Sequence, residues 1–210
     1  MSAGPGIGYW HGRSTCTWCA EGARSRFEVA RPRLIDIEWK MPALEESVCP
    51  GCGLRLPASY TTAYDGFFNT SPECWQAYTA VLGTEFGDAW LFRQAHQLTV
   101  DTYAVQHGGA EHPDKSVGIH LAGLCLVLEK SFTPPSVPRL LQRLATAVRA
   151  WPRFAPPDGG GLPTVRDIAR ARSPEDHIER VLSWSRSVWR AWSSYHITVA
   201  ELVRRYLSVS

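Results

Sequence analysis

The chain has 210 residues, 44% hydrophobic and 20% charged, a globular composition that excludes a disordered chain. Its 22 Lys and Arg stand against 20 Asp and Glu, for a net charge of +2, which gives no general case for nucleic acid. It contains no apolar run of transmembrane length, and its first residues, MSAGPGIGYWHGRSTC, lack the basic and apolar regions of a secretory signal, so a cytoplasmic protein is expected.

Residues 1–57 are broken up by Gly and Pro, with short strand-like pieces at Phe27–Val29 and Leu34–Trp39. They read as an irregular, metal-binding N-terminal segment, and residues 58–210 as an α-helical bundle forming one compact unit with it. Two C-x-x-C pairs, Cys16/Cys19 and Cys49/Cys52, fall in that segment. Without an export signal, a metal is a better reading than disulfides. A C-x-x-C turn directs two thiolates at one point, and a tetrahedral structural zinc needs four such ligands. An iron site and a redox dithiol are the alternatives.

After a loop over residues 58–71, helical character begins. Ser71-Pro72-Glu73 reads as a helix start, with Ser as the cap, Pro at the first position and an acid at the second. This puts Cys74 in the first helical turn and makes it a fifth candidate ligand. Either the two pairs close one site and Cys74 is left over, or Cys49, Cys52 and Cys74 share a metal with a fourth ligand from elsewhere. The first helix is predicted over 72–82, stopping near Gly83, and the second over 88–107, ending at Gly108-Gly109. A third covers 115–130 behind Asp114 as its cap, and a fourth covers 137–151 behind Ser136. Residues 152–163 form a linker. The last helical stretch runs from Ser173-Pro174 to about Leu207, with a break expected at the capping-box pattern Thr198–Glu201. Cys125, within an apolar run, reads as a small buried hydrophobe.

Cys49-Pro-Gly-Cys-Gly53, Ser71-Pro-Glu-Cys-Trp75, His96–His107 and Ser116-Val-Gly-Ile-His120-Leu121 stand in that order. In this the chain resembles a bacterial family of uncharacterised proteins, a domain of unknown function with a CPxCG head and a VDxYAxQH segment. The resemblance covers about residues 49–130 and implies a common fold and a common site without an established activity. It favours Cys49, Cys52 and Cys74 as the shared ligands, since the Cys16/Cys19 pair lies outside the pattern.

On a helix, His96, Val100, Tyr103 and His107 fall on one stripe, while Asp101 points elsewhere and is placed to accept a proton from a histidine on another helix. Ser116 and His120 are one turn apart. His196 lies within the apolar, Trp-rich stripe Ser185, Trp189, Trp192, Val199 and Val203. Helix bundles build their sites from inward-facing side chains of this kind, so His96, Asp101, Tyr103, His107, His120 and His196 are the candidate catalytic residues. His11, His112 and His177 read as solvent-exposed. Together these features suggest a zinc-binding helical protein. Its His/Asp/Tyr pocket would carry out metal-assisted hydrolysis or group transfer on a small-molecule substrate. The alternative is a non-catalytic, zinc-stabilised module that binds a protein partner. Neither a membrane nor a nucleic acid is expected as a partner.

Overall fold

The computed structural model describes residues 45–59, 64, 66–109, 111–158 and 160–208. His11, Cys16, Cys19 and the strand-like pieces at 27–29 and 34–39 lie outside the described residues. The fold is mainly α, with a small hairpin preceding the helices. Strands β1 (Glu46–Val48) and β2 (Arg55–Pro57) pair antiparallel, Ser47 opposite Leu56. The turn between them is Cys49-Pro50-Gly51-Cys52-Gly53. Gly53 sits at φ +72, a left-handed conformation that glycine adopts without strain. From there Gly53 N–H donates to the Cys49 carbonyl at 2.9 Å.

Helix α1 (Pro72–Gly87) starts as its sequence signals direct, the Ser71 hydroxyl accepting from the Cys74 N–H. It runs through Gly83, because a solvent-facing glycine only weakens a helix interior. Asp88 caps α2 (Ala89–Leu91), which passes through a π-helical turn, Phe92–His96, into α3 (Gln97–Gln106). The predicted second helix is therefore continuous in sequence but carries one wide turn. Helix α4 (Asp114–Leu128) begins at Asp114 itself. The Asp114 carboxylate is taken by the N–H of Phe154 at 2.8 Å and does not cap the helix.

Helix α5 (Val137–Ala147) is shorter than its apolar spacing predicts. Val148 turns extended, and Trp151 folds under α4, where a Cβ on Gly118 would lie 2.5 Å from its ring. A short α6 (Val165–Ile168), invisible in the periodicity, opens with a capping box between Thr164 and Asp167. Helices α7 (Pro174–Ala191) and α8 (His196–Leu207) are separated by a 3-10 turn at Ser193–Tyr195. That break falls before the Thr198 position predicted for it.

Helix α3 is the central element, packed on α4 and α7, while α4 also packs on α5 and α8 and α1 packs on α6. Trp184, Trp192, Tyr103, Leu98, Leu121 and Leu124 are among the largest side chains fully buried in the core. The buried Trp184 Nε1 donates to Gln106 Oε1 at 3.0 Å, since an unmatched buried donor is costly, whereas Glu73 Oε2, Asp101 Oδ2, His112 Nδ1 and Trp151 Nε1 are buried without a hydrogen-bond partner among the described residues. Among the described residues, no helix is long and apolar enough to cross a membrane.

Candidate metal centre

Three segments far apart in sequence converge on one point. The hairpin turn brings Cys49 and Cys52, the first turn of α1 brings Cys74, and the C-terminal end of α3 brings His107. All four are buried, and one ligand atom from each lies within 4.8 Å of the others. Cys52 Sγ is 3.7 Å from Cys74 Sγ, and Cys74 Sγ is 3.5 Å from His107 Nε2. Two thiolates at zinc bond lengths and tetrahedral angles stand about 3.8 Å apart, and a thiolate and an imidazole about 3.6 Å. The observed edges match that tetrahedron.

Local hydrogen bonds explain why the ligands point inward. His107 Nδ1–H donates to the Tyr103 carbonyl at 2.8 Å. That bond fixes the tautomer and leaves the Nε2 lone pair facing the sulfurs, as a metal-binding histidine requires. The Tyr103 and Thr70 hydroxyls are hydrogen-bonded at 2.8 Å, the Tyr103 hydroxyl donates to Cys74 Sγ at 3.8 Å, and Thr70 Oγ1 lies 3.5 Å from Cys49 Sγ, so hydroxyls stand against two of the sulfurs. The loop before α1 is tied to the end of α3 by Asn69 N–H donating to the His107 carbonyl at 3.0 Å. Gly51 closes the arrangement: a Cβ there would stand 2.3 Å from the Asn69 carbonyl oxygen and 2.7 Å from His107 Cδ2. Tyr103 is sandwiched between Tyr78, stacked at 3.8 Å, and His107 at 3.9 Å. Hydrogen bonds from Cys52 and then Cys74 hold the Cys49 thiol far below its usual range, favouring the thiolate, the form that binds metal.

The other candidate residues have separate partners. Asp101, fully buried, accepts from His120 Nδ1 at 2.8 Å and from Gln97 Nε2 at 2.9 Å. His120 thus supplies the partner expected on another helix. Burial pushes the Asp101 carboxyl up from its ordinary pKa, against the pull of His120. His96 Nδ1 bonds to Glu85 Oε2 at 2.9 Å. His196 stacks on Trp189 at 3.9 Å and donates Nε2–H to the Trp189 carbonyl. The histidines on the helices are therefore dispersed. Of the set proposed from sequence, Tyr103 and His107 join the cysteine cluster, Asp101 and His120 form a pair, and His96 and His196 stand apart.

Two of the histidines expected to be exposed are buried, His112 to 5% and His177 to 4% exposure. His112 Nε2 meets Ser116 Oγ at 2.8 Å. His177 Nε2 meets Glu85 Oε1 at 2.9 Å, and Thr99 donates to the same oxygen at 2.5 Å. Glu85 was not singled out from sequence. Its signal is the stripe Cys74, Tyr78, Val81, Glu85 on α1, which emerges only once the helix continues past Gly83. His177 heads the stripe of Val181, Trp184 and Val188 on α7, which marks it as inward-facing.

No curated protein and no solved structure matches the chain. A family model described as "Family of unknown function (DUF5946)" matches residues 47–193. That span takes in Cys49, Cys52, Cys74, His107, Asp101, His120, Glu85 and His177, and the chain belongs to that family.

Proposed function

We propose that Cys49, Cys52, Cys74 and His107 hold one Zn²⁺ in a closed structural site, and that the chain is a zinc-stabilised helical protein. The observation that carries this reading is His107: its Nδ1–H is committed to Tyr103, so Nε2 completes a buried tetrahedron with three sulfurs. A Cys₃His shell is a common structural zinc set, whereas catalytic zinc keeps a position open for water. The ligand count therefore supports the module reading and lends nothing to metal-activated water. The ion would link the hairpin, α1 and the end of α3, and such sites supply folding energy. Phe86, Trp90 and Phe92 are large and exposed, with Phe86 and Phe92 5.4 Å apart, and form the apolar surface that a protein-binding module would present. Elemental analysis of purified protein should give one zinc per chain, and Cys49→Ser should abolish it. Metal-free protein that melts identically with and without a strong chelator would overturn the reading.

A second reading rests on Asp101 and His120. His120 gives Nδ1 to a fully buried carboxylate, and its Nε2 has no partner among the described residues, the arrangement of a general base oriented by an acid. Asp101→Asn would then remove an activity that Cys49→Ser retains in proportion to its folded fraction. An activity indifferent to Asp101→Asn would dismiss the dyad.

A further inference from the structure

Between α1, α2 and the α6–α7 connection lies a cavity of about 300 Å³, walled by Val81, Leu91 and Ile168 and carrying Asp88, Arg172 and His177. That volume falls at the lower end of small-molecule pockets. His177 is 4% exposed and uses one edge of its ring within the protein, Nε2 bonding to Glu85. Nδ1 has no partner among the described residues. The ring cannot swing away, because Glu85 is itself fully buried and clamped by His96 and Thr99. A carboxylate so fully bonded holds the imidazole with one nitrogen left for a ligand.

The charges around the cavity are unevenly committed. Asp88 Oδ1 accepts from the N–H groups of Trp90 and Leu91 at 2.8 and 3.0 Å, so its charge is engaged by the start of α2. The Arg172 backbone N–H is held by Asp176, but its guanidinium has no ion-pair partner among the described residues. Asp176 is paired instead with Arg180 at 2.7 Å. What remains for a ligand is one guanidinium and one imidazole edge beside an apolar wall.

We propose that this cavity binds a small organic acid, with its carboxylate on Arg172 and on His177 Nδ1 and a short aliphatic body against Val81, Leu91 and Ile168. Arginine presents a fork that matches a carboxylate, and with a proton on Nδ1 the ring edge that Glu85 leaves free can donate to the same carboxylate. The apolar wall selects an aliphatic acid over an inorganic anion, which would leave that wall wet. The cavity shares no residue with the cysteine cluster.

The test titrates the full chain with isovalerate, and with isovaleramide as its neutral counterpart, following the histidine ring signals by ¹H–¹⁵N NMR. Isovalerate should shift the His177 signals saturably, and the amide should not. Arg172→Gln, an exposed change that leaves the fold intact, should weaken the response about tenfold or more, the scale of one charge-assisted hydrogen bond. His177→Gln keeps a donor for Glu85 and should also weaken it. Absence of a saturable shift, an equal response to the amide, or an affinity unchanged by Arg172→Gln would each overturn the proposal.

Discussion

A Cβ atom on Gly123 would stand 2.1 Å from Oδ2 of Asp101. The glycine on α4 is the space into which the α3 carboxylate projects, so the Asp101–His120 pair depends on an absent side chain as much as on the groups that bond. Gly123→Ala should therefore destabilise the fold by about 1–3 kcal/mol through overpacking, despite the better helix propensity of alanine. Asp101→Asn, nearly the same size, should cost less. Thermal melts of the two variants check the order, and a melt of Gly123→Ala at or above wild type would contradict the packing described.

Gly51 and Gly83 make a second contrast. Gly51→Ala meets a backbone oxygen and the His107 ring and should lower both stability and metal content. Gly83 lies in the middle of α1 with nothing within 4 Å of an added Cβ, so Gly83→Ala should raise stability by about 0.5–1 kcal/mol. Denaturant melts measure both.

The cysteines should separate by role. Cys74→Ser should lose the metal, whereas Cys125→Ser should retain it, since Cys125 packs in the core at 1% exposure outside the cluster. The double change Cys16→Ser, Cys19→Ser should leave the metal at the cluster in place, because four ligands are already present without that pair. Metal stoichiometry of the three variants decides the matter.

Glu85 should confer an acid-side dependence of stability. Burial raises its carboxyl, but hydrogen bonds from His177, His96 and Thr99 outweigh this and hold it below its ordinary value of 4.5. A carboxyl depressed in the fold binds fewer protons there than in the unfolded chain. Its contribution is thus present above the unfolded pKa and is lost as pH falls through the folded one. Wild type should lose stability steeply below pH 4.5, and Glu85→Gln should be less stable near neutrality with a shallower acid slope. Parallel acid profiles for the two proteins would contradict this.

Much of the frame was legible because it is local. Ser71-Pro72 and Ser173-Pro174 start helices, Gly108-Gly109 ends one, and the C-x-x-C turn and helix-start Cys74 announce three members of the Cys/His cluster. The fourth member was harder to find. On the helical stripe His107 looks like a companion of His96, and only the fold brings the hairpin turn with Gly51 and the loop with Asn69 against it, beside the sulfurs. Likewise, nothing local distinguishes a buried His177 from an exposed one near a helix start, because its burial depends on α1 supplying Glu85. The Thr198 capping pattern misplaced the α7–α8 break, since the Trp192 cap at the end of α7 comes first.

The π-helical turn at Phe92–His96 has one residue more than an α-turn would hold, and it lies upstream of every functional position on α3. Wound as a regular α-helix, the same residues would rotate the rest of α3 by about 100° relative to α1. His96 would leave Glu85, Asp101 would leave His120, and His107 would turn from the sulfurs, all in one step. The wide turn thus acts as the phase setting of the molecule: it absorbs one extra residue and keeps three separate polar assemblies in register, so a one-residue deletion at that point, which regular winding can take up, should be far less damaging than the same deletion in the middle of α3.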